Sequence, residues 1–137
     1  MPYRLVSFLV ALFLVAGCDS SVSPREGFDQ LSRDPDALVG TWDWECDASF
    51  WSGGRCDPSE AKGTETLVFG SDGSLVVSRN GAVEQETTYE VRGRNPGSVP
   101  ILRAGSFGNY VFGVDGRRLV LFVEGLADGP ERLFLRR

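Results

Sequence analysis

The sequence contains no histidine, the side chain that most often acts as a general base near neutral pH and most often binds metal ions. Without histidine, the serines lack their usual partner for nucleophilic catalysis. Basic residues are in the minority, since 14 Lys and Arg face 19 Asp and Glu, and the formal net charge is −5. Nucleic acid is excluded as a partner, because binding phosphates requires a basic surface. We expect a protein that is not an enzyme, with no catalytic residues, no metal site and no cofactor.

Apolar runs long enough to cross a membrane are also missing. Residues 5–16 are apolar except for Ser7, but about twelve residues fall short of the roughly twenty that span a bilayer. A short segment with one positive charge, Arg4, precedes this run. A charged start followed by a short apolar run is typical of a secretory signal peptide. The remaining residues are enough for one domain.

Small residues and a cysteine follow the apolar run directly, in the order Leu14, Val15, Ala16, Gly17, Cys18. This segment resembles the lipobox of bacterial lipoproteins. The resemblance implies that residues 1–17 are a lipoprotein signal peptide, and that Cys18 carries a diacylglycerol and an acylated amino group after cleavage. Several acyl chains anchor a protein stably to a membrane, here on the periplasmic or surface face of the bacterial cell envelope. The alternative is an ordinary cleaved signal peptide with an incidental cysteine.

Residues 18–36 are predicted to form the lipidated cysteine and a flexible tether, because no apolar period runs through them. Once Cys18 is lipidated, two cysteines remain, and outside the cytoplasm they can pair. We therefore predict a disulfide between Cys46 and Cys56, with a thiol site or a metal pair as the alternative. The loop inside the bridge carries Phe50 and Trp51. These side chains are expected either to contact a partner or cover a barrel mouth, or to fold back and plug the barrel end.

Alternating side chains predict strands in the rest of the chain. The stretch 38–46 has period two, with one predicted inward side formed by Leu38, Gly40, Trp42, Trp44 and Cys46. Hairpin turns are indicated by Asp72-Gly73, Asn80-Gly81, Asp115-Gly116 and Asp128-Gly129. About eight strands in succession predict an all-β domain over residues 37–137, an antiparallel up-and-down meander. Closure into a small barrel is favoured because it leaves no exposed strand edges.

Several inward and outward positions follow from the predicted strands. Candidate ligand contacts on the inner face are Trp44, Phe69, Tyr89, Tyr110 and Phe112. Glu65 shares their side, near the end of the barrel, and Arg79 or Arg103 is its expected partner. Asp43, Glu45 and Asp47 alternate with the tryptophans and are predicted to form a solvated outer face.

Gly40-Thr41-Trp42, on the first predicted strand, is similar to the G-x-W signature of lipocalins. The resemblance implies that Trp42 packs across the closed end of the barrel and that an arginine of the last strand, Arg136 or Arg132, lies over its ring. The barrel-closing residues would then be Gly40, Trp42 and Arg136. The whole mature region resembles the compact lipocalin-like domains of bacterial lipoproteins.

Two functions are expected from this resemblance. The first is a membrane-anchored envelope lipoprotein whose barrel binds a small hydrophobic molecule without catalysis. The second is a structural or interaction lipoprotein, in which side chains fill the barrel and the 47–62 loop contacts an envelope protein. Both place the protein at a membrane through its lipid anchor, and neither involves nucleic acid.

Overall fold

The computed structural model describes residues 27–48, 56, 63–126 and 129–137. Three short 3-10 turns lie in these ranges, at Phe28–Gln30, Pro35–Leu38 and Gly105–Phe107. The strands of the described residues are β1 (Gly40–Ala48), β2 (Glu65–Phe69), β3 (Ser74–Arg79), β4 (Ala82–Thr88), β5 (Glu90–Gly93), β6 (Pro100–Ala104), β7 (Gly108–Val114), β8 (Arg118–Val123) and β9 (Glu131–Arg136).

The nine strands form one antiparallel sheet in the order β4-β3-β2-β1-β9-β8-β7-β6-β5. Strands that follow one another in sequence therefore pair, except that β4 and β5 lie at the two edges of the sheet. In addition, β1 pairs with β9, from Trp42 opposite Arg136 to Ala48 opposite Glu131. This pairing joins the first and last strands and curls the sheet into a nearly closed barrel. The predicted all-β meander and its closure are confirmed.

Tyr89 separates the two outer strands of the sheet, β4 and β5. Its N–H donates to the Gly73 carbonyl (2.8 Å), and its hydroxyl donates to the Gly70 carbonyl (3.0 Å). β4 pairs with β3, whereas β5 pairs with β6, so one extended segment passes from one edge of the sheet to the other. The prediction of about eight strands treated residues 86–91 as continuous, and the bend at Tyr89 divides them.

The turn between β3 and β4 follows the sequence closely. Asn80 and Gly81 have φ angles of 51° and 80°. Two consecutive positive φ angles match a tight hairpin turn whose twist suits antiparallel strands. The Asn80 side chain also accepts a hydrogen bond from the Thr64 N–H (3.1 Å), which ties this turn to the start of β2.

A β-bulge changes the faces of β1. Its pairing with β9 shifts between Trp44 and Cys46, so that Glu45 has no partner across the strand. Trp42 and Trp44 face the barrel interior as predicted, but Cys46 packs in a separate cluster on the outer wall. The prediction that Cys46 shares the tryptophans' side is therefore wrong, because one extra residue reverses the alternation.

The principal core lies inside the barrel. It contains buried side chains from seven of the strands, the largest being Trp42, Phe69, Phe112 and Phe134, each less than 2% exposed. A smaller cluster lies outside the wall and comprises Leu31, Cys46, Val120 and Leu133, with Phe28, Cys56 and Phe122 packed against it.

The segment before β1 packs on the barrel. Ser32 bridges to Val114 in β7, and the Phe28 ring meets the Phe122 ring edge-on at 4.3 Å between centroids. The Arg33 guanidinium lies 4.0 Å from the centre of the Phe28 ring and donates to the Phe112 carbonyl. The predicted domain boundary at residue 37 thus falls within a segment that contacts the outer wall from Phe28 onward.

Candidate functional site

One arginine and one turn pack around Trp42 at one end of the barrel. The Trp42 side chain is fully buried, and its indole N–H donates to the Leu38 carbonyl (2.7 Å). The Arg136 guanidinium lies 4.3 Å from the centre of the Trp42 ring. It also donates to the carbonyls of Ala37 (2.8 Å) and Val39 (3.2 Å). These carbonyls end the turn Pro35–Leu38, where unpaired backbone acceptors favour a cation.

Gly40 leaves room for this arginine. A Cβ atom at residue 40 would lie 2.9 Å from the Arg136 Nη1 atom, and the φ angle of Gly40 is +140°, which L side chains rarely adopt. Arg136 therefore occupies the position that the resemblance assigns to an arginine over Trp42. We call Gly40, Trp42, Arg136 and the turn Pro35–Leu38 the closed end; its role in shutting the barrel stays a prediction.

Charged side chains occupy the opposite end. The Glu65 carboxylate, in a side chain only 7% exposed, accepts from Arg132 at one oxygen (2.9 Å) and from Arg79 at the other (3.0 Å). Arg132 also reaches Asp47 (3.3 Å), and Arg79 also reaches Glu84 (3.2 Å). We call these five residues the ionic cluster. Both Glu65 oxygens accept hydrogen bonds from arginine. A general base needs a free oxygen to take up a proton, so this arrangement suits a structural carboxylate.

Aromatic side chains complete the ionic cluster. The Trp44 indole N–H donates to Asp47 (2.7 Å), and the Tyr110 hydroxyl donates to the Phe107 carbonyl (3.0 Å). Burial raises the pKa of Tyr110, although the nearby Arg132 opposes the shift. Burial by itself would lower the pKa of Arg132, but the charges of Glu65 and Asp47 hold it above the ordinary value.

A cavity of about 440 Å³ opens at this end, which we call the open end. Seven of its ten lining residues are polar or charged, and Val77, Phe107 and Tyr110 supply its apolar surface. Its remaining lining residues are Asp47, Glu65, Arg79, Glu84, Gln85, Ser106 and Arg132. The cavity lies where the turn Gly105–Phe107 runs beside β4, and there a side-chain bond from Gln85 to Ser106 (2.8 Å) crosses between them.

The five candidate ligand contacts do not form one site. Phe69 and Phe112 lie in the filled core, at 1% and 0% exposure. Tyr110 lines the open-end cavity, and Trp44 lines a small void of about 40 Å³ beside it. Tyr89 lines a separate cavity of about 240 Å³ with Arg103. The sequence grouped these residues by facing direction, and the filled core separates them.

The predicted charge positions are correct in part. Asp43 lies on the outer face, bonded to Arg137 (2.7 Å) and Thr66 (2.9 Å), and Glu45 is exposed. Asp47 was predicted on that face but joins the ionic cluster, because the bulge turns it inward.

The predicted arginine partners are also correct only in part. Arg79 does pair with Glu65, whereas Arg103 is exposed and lies opposite Glu90 in the β5–β6 ladder. Arg132, considered for the ring of Trp42, contacts the Phe134 ring at 5.2 Å instead.

Sequence reasoning missed Arg132 as a partner of Glu65, and it missed Asp47 as the second carboxylate bonded to Arg132. A signal for Arg132 was present, because it has the same parity as Phe134 and Arg136 in β9 and must share their face. For Asp47 no such signal exists, since simple alternation places it outward. Arg33, which donates to the Phe112 carbonyl, was also not anticipated.

Some predicted residues fall outside the described ranges. Cys18, Phe50 and Trp51 are among them, and so is most of the 47–62 loop. Cys46 and Cys56 are described and are joined by a disulfide, with their Cα atoms 5.4 Å apart. This pairing agrees with the prediction and places the bridge in the outer-wall cluster.

No protein-family model, no curated protein and no solved structure matches this chain. Within the described residues, no helix has the length and apolar character needed to cross a membrane. The same residues contain no group of three or more acidic or cysteine side chains that could hold a metal ion. The geometry of the two barrel ends is therefore the basis for any functional statement.

Proposed function

We propose that the protein is a lipid-anchored envelope lipoprotein whose lipocalin-like barrel binds a small molecule at its open end without catalysing a reaction. The observation that carries this proposal is the contrast between the ends. At one end the Arg136 guanidinium lies over the buried Trp42 ring, whereas the other end holds a cavity of about 440 Å³, within the range of small-molecule sites.

The cavity lining favours a ligand with polar groups. The sequence pointed to a hydrophobic molecule, but Phe69 and Phe112, which would supply most apolar surface, are buried in the core. The apolar lining of the cavity is limited to Val77, Phe107 and Tyr110, of which Phe107 alone is half-buried and the other two are buried. A ligand there would place an apolar face on these rings and donate to, or accept from, Glu84 and Gln85 at the rim. We propose a small amphipathic molecule as the ligand.

Native mass spectrometry of full-length protein extracted from membranes of its host tests the proposal. Ser106→Trp should block the cavity, because Ser106 is exposed and lies at its rim. Ser71→Trp, in the exposed turn between β2 and β3 at the opposite end, is the matched control. We expect a bound molecule in the wild type and in Ser71→Trp, and its loss in Ser106→Trp. Wild-type protein with no mass beyond the chain and its anchor would contradict binding.

The anchor has its own test. Replacing Cys18 by serine should release the protein from membranes, because no lipid can then be attached. The intact mass of the wild type should exceed that of residues 18–137 by the mass of the acyl groups. Continued membrane association of Cys18→Ser at the wild-type level would contradict a lipid anchor at this residue.

A second function is favoured by the packing of the core. Trp42, Phe69, Phe112 and Phe134 fill the barrel, as expected of an interaction lipoprotein with no internal ligand. In that case the 47–62 loop would contact an envelope protein through Phe50 and Trp51. Replacing both by serine would then abolish capture of that protein, while any ligand bound at the open end would be unaffected.

A further inference from the structure

A groove on the outside of the barrel is not used by either proposed function. It has a volume of about 620 Å³ and lies on the wall formed by β7 and β8. Its lining residues are Phe28, Asp29, Val111, Phe122, Val123, Gly125 and Leu126. Five of these seven are large and apolar. We call this surface the outer groove.

The outer groove leaves several large apolar side chains partly exposed to solvent. Leu126 at its border is 58% exposed, and Phe28, Val111 and Phe122 are each half-buried. None of these four side chains belongs to the inward-facing core, and Phe28 and Phe122 pack against the outer-wall cluster instead. An apolar depression of this kind on an outer face marks a contact surface.

The chain itself brings this wall close to the lipid. Phe28 lines the groove, and Cys18 precedes it by ten residues. A fully extended chain of ten residues reaches at most roughly 35 Å. The segment that leads to the proposed lipid at Cys18 therefore starts at the outer groove, and a path to the opposite wall would have to pass around the barrel. This step depends on the anchor that we propose above.

A cation borders the groove in the position expected at a bilayer surface. Arg92, Ile101, Val111 and Phe122 lie opposite one another across β5 to β8 and so form one row on the outer face. Arg92 is 69% exposed at the end of this row, where it forms an exposed ion pair with Glu90 (2.9 Å). The acidic Glu124 is paired with Arg94 (2.6 Å). Long cationic side chains at the border of an apolar surface can reach phosphate headgroups.

We infer that the outer groove is the face that rests on the phospholipid bilayer, with Leu126 entering the lipid and Arg92 at headgroup level. The lipid anchor then fixes one orientation of the barrel. The barrel lies on its side, with the β7–β8 wall toward the membrane.

Spin labels on the full-length, lipidated protein test this orientation in phosphatidylcholine vesicles. The label is placed at Leu126→Cys and, as a matched control, at Val83→Cys. The two side chains are similarly exposed, at 58% and 57%, but Val83 lies on β4 outside the groove. We expect collisions with oxygen to exceed those with a water-soluble nickel complex several-fold at residue 126. At residue 83 we expect the reverse.

The outcomes separate this inference from the proposed anchor. If the protein sediments with vesicles but both labels contact water, the bilayer contact is overturned while the anchor stands. If it does not sediment with vesicles at all, both are overturned. Spin–spin broadening at residue 126 that persists at low protein-to-lipid ratio would identify a second copy in the groove and overturn the membrane assignment.

Discussion

The two ends of the barrel are packed by different kinds of side chain. At the closed end, Trp42 is fully buried and one cation, Arg136, bonds to backbone carbonyls. At the open end, two arginines and three carboxylates meet around Glu65, which is nearly buried. The closed end thus depends on shape and a single stacked cation, whereas the open end depends on mutual neutralisation. The cavity of about 440 Å³ borders the second arrangement, where the charged groups retain access to water.

The largest expected effect separates the two tryptophans. Trp42→Ala should lower the free energy of unfolding by about 3–5 kcal/mol, because it removes a fully buried ring and leaves a void. Trp44→Ala should cost about 1–2 kcal/mol, since Trp44 is only half-buried at the open end. Urea unfolding followed by circular dichroism measures both. Equal losses would remove the distinction between the ends.

Within the ionic cluster, the two partners of Glu65 should differ. Arg132→Met should cost about 3 kcal/mol, because it leaves Glu65 and Asp47 without their most buried counter-charge. Arg79→Met is the matched control and should cost less than about 1 kcal/mol, since Arg79 is 43% exposed. The same unfolding assay compares them. A greater loss of stability for Arg79→Met would show that the exposed pair contributes more to the cluster than the buried Arg132 does.

Replacing Gly40 tests the closed end from the backbone side. Gly40→Ala should cost about 1–3 kcal/mol, because a Cβ at φ +140° is strained and meets Arg136 at 2.9 Å. Gly81→Ala at φ +80°, with no atom within 4 Å, provides a control for positive φ without a clash. In an Arg136→Ala background the cost of Gly40→Ala should shrink. Full additivity of the two changes would show that Gly40 does not serve the arginine.

The smallest expected effect is pH-dependent and lies on the outer face. A hydrogen bond from Arg137 holds the pKa of Asp43 below its usual range, although burial opposes this shift. Because the folded pKa is below the unfolded value of about 3.9, the stabilisation is fully present above that pH. It is lost as pH falls through the folded pKa.

Asp43→Asn should therefore lower stability at pH 7 by less than about 1 kcal/mol, since the pair is exposed. The difference from wild type should vanish at low pH and shrink in high salt. A difference that grows on acidification would contradict the assigned sign. Asp115→Asn, beside Arg118, provides a comparison at a second exposed pair whose pKa is also lowered.

The fold was predictable because its signals are local. Asn80-Gly81 selects the turn that its positive φ angles require, and the alternation around Trp42 identifies a strand with one buried face. The closure was predicted from the need to pair the edges of the first and last strands, and β1 pairs with β9. The candidate site was less predictable. Tyr89, Tyr110 and Phe112 were predicted to share one face, but Tyr89 and Tyr110 line different cavities and Phe112 is buried in the core. Facing direction is local, whereas the filling of the interior depends on every strand at once.

By itself, the sequence determined the strands, most of their turns and the inward direction of Trp42, since period two and turn propensity act over a few residues. Only the tertiary structure decided that Asp47 faces inward and Cys46 outward. A bulge exists because β1 must match β9, a strand 80 or more residues further along the chain. The ionic cluster, and the cavity that it borders, therefore follow from pairing that no short stretch of the sequence specifies.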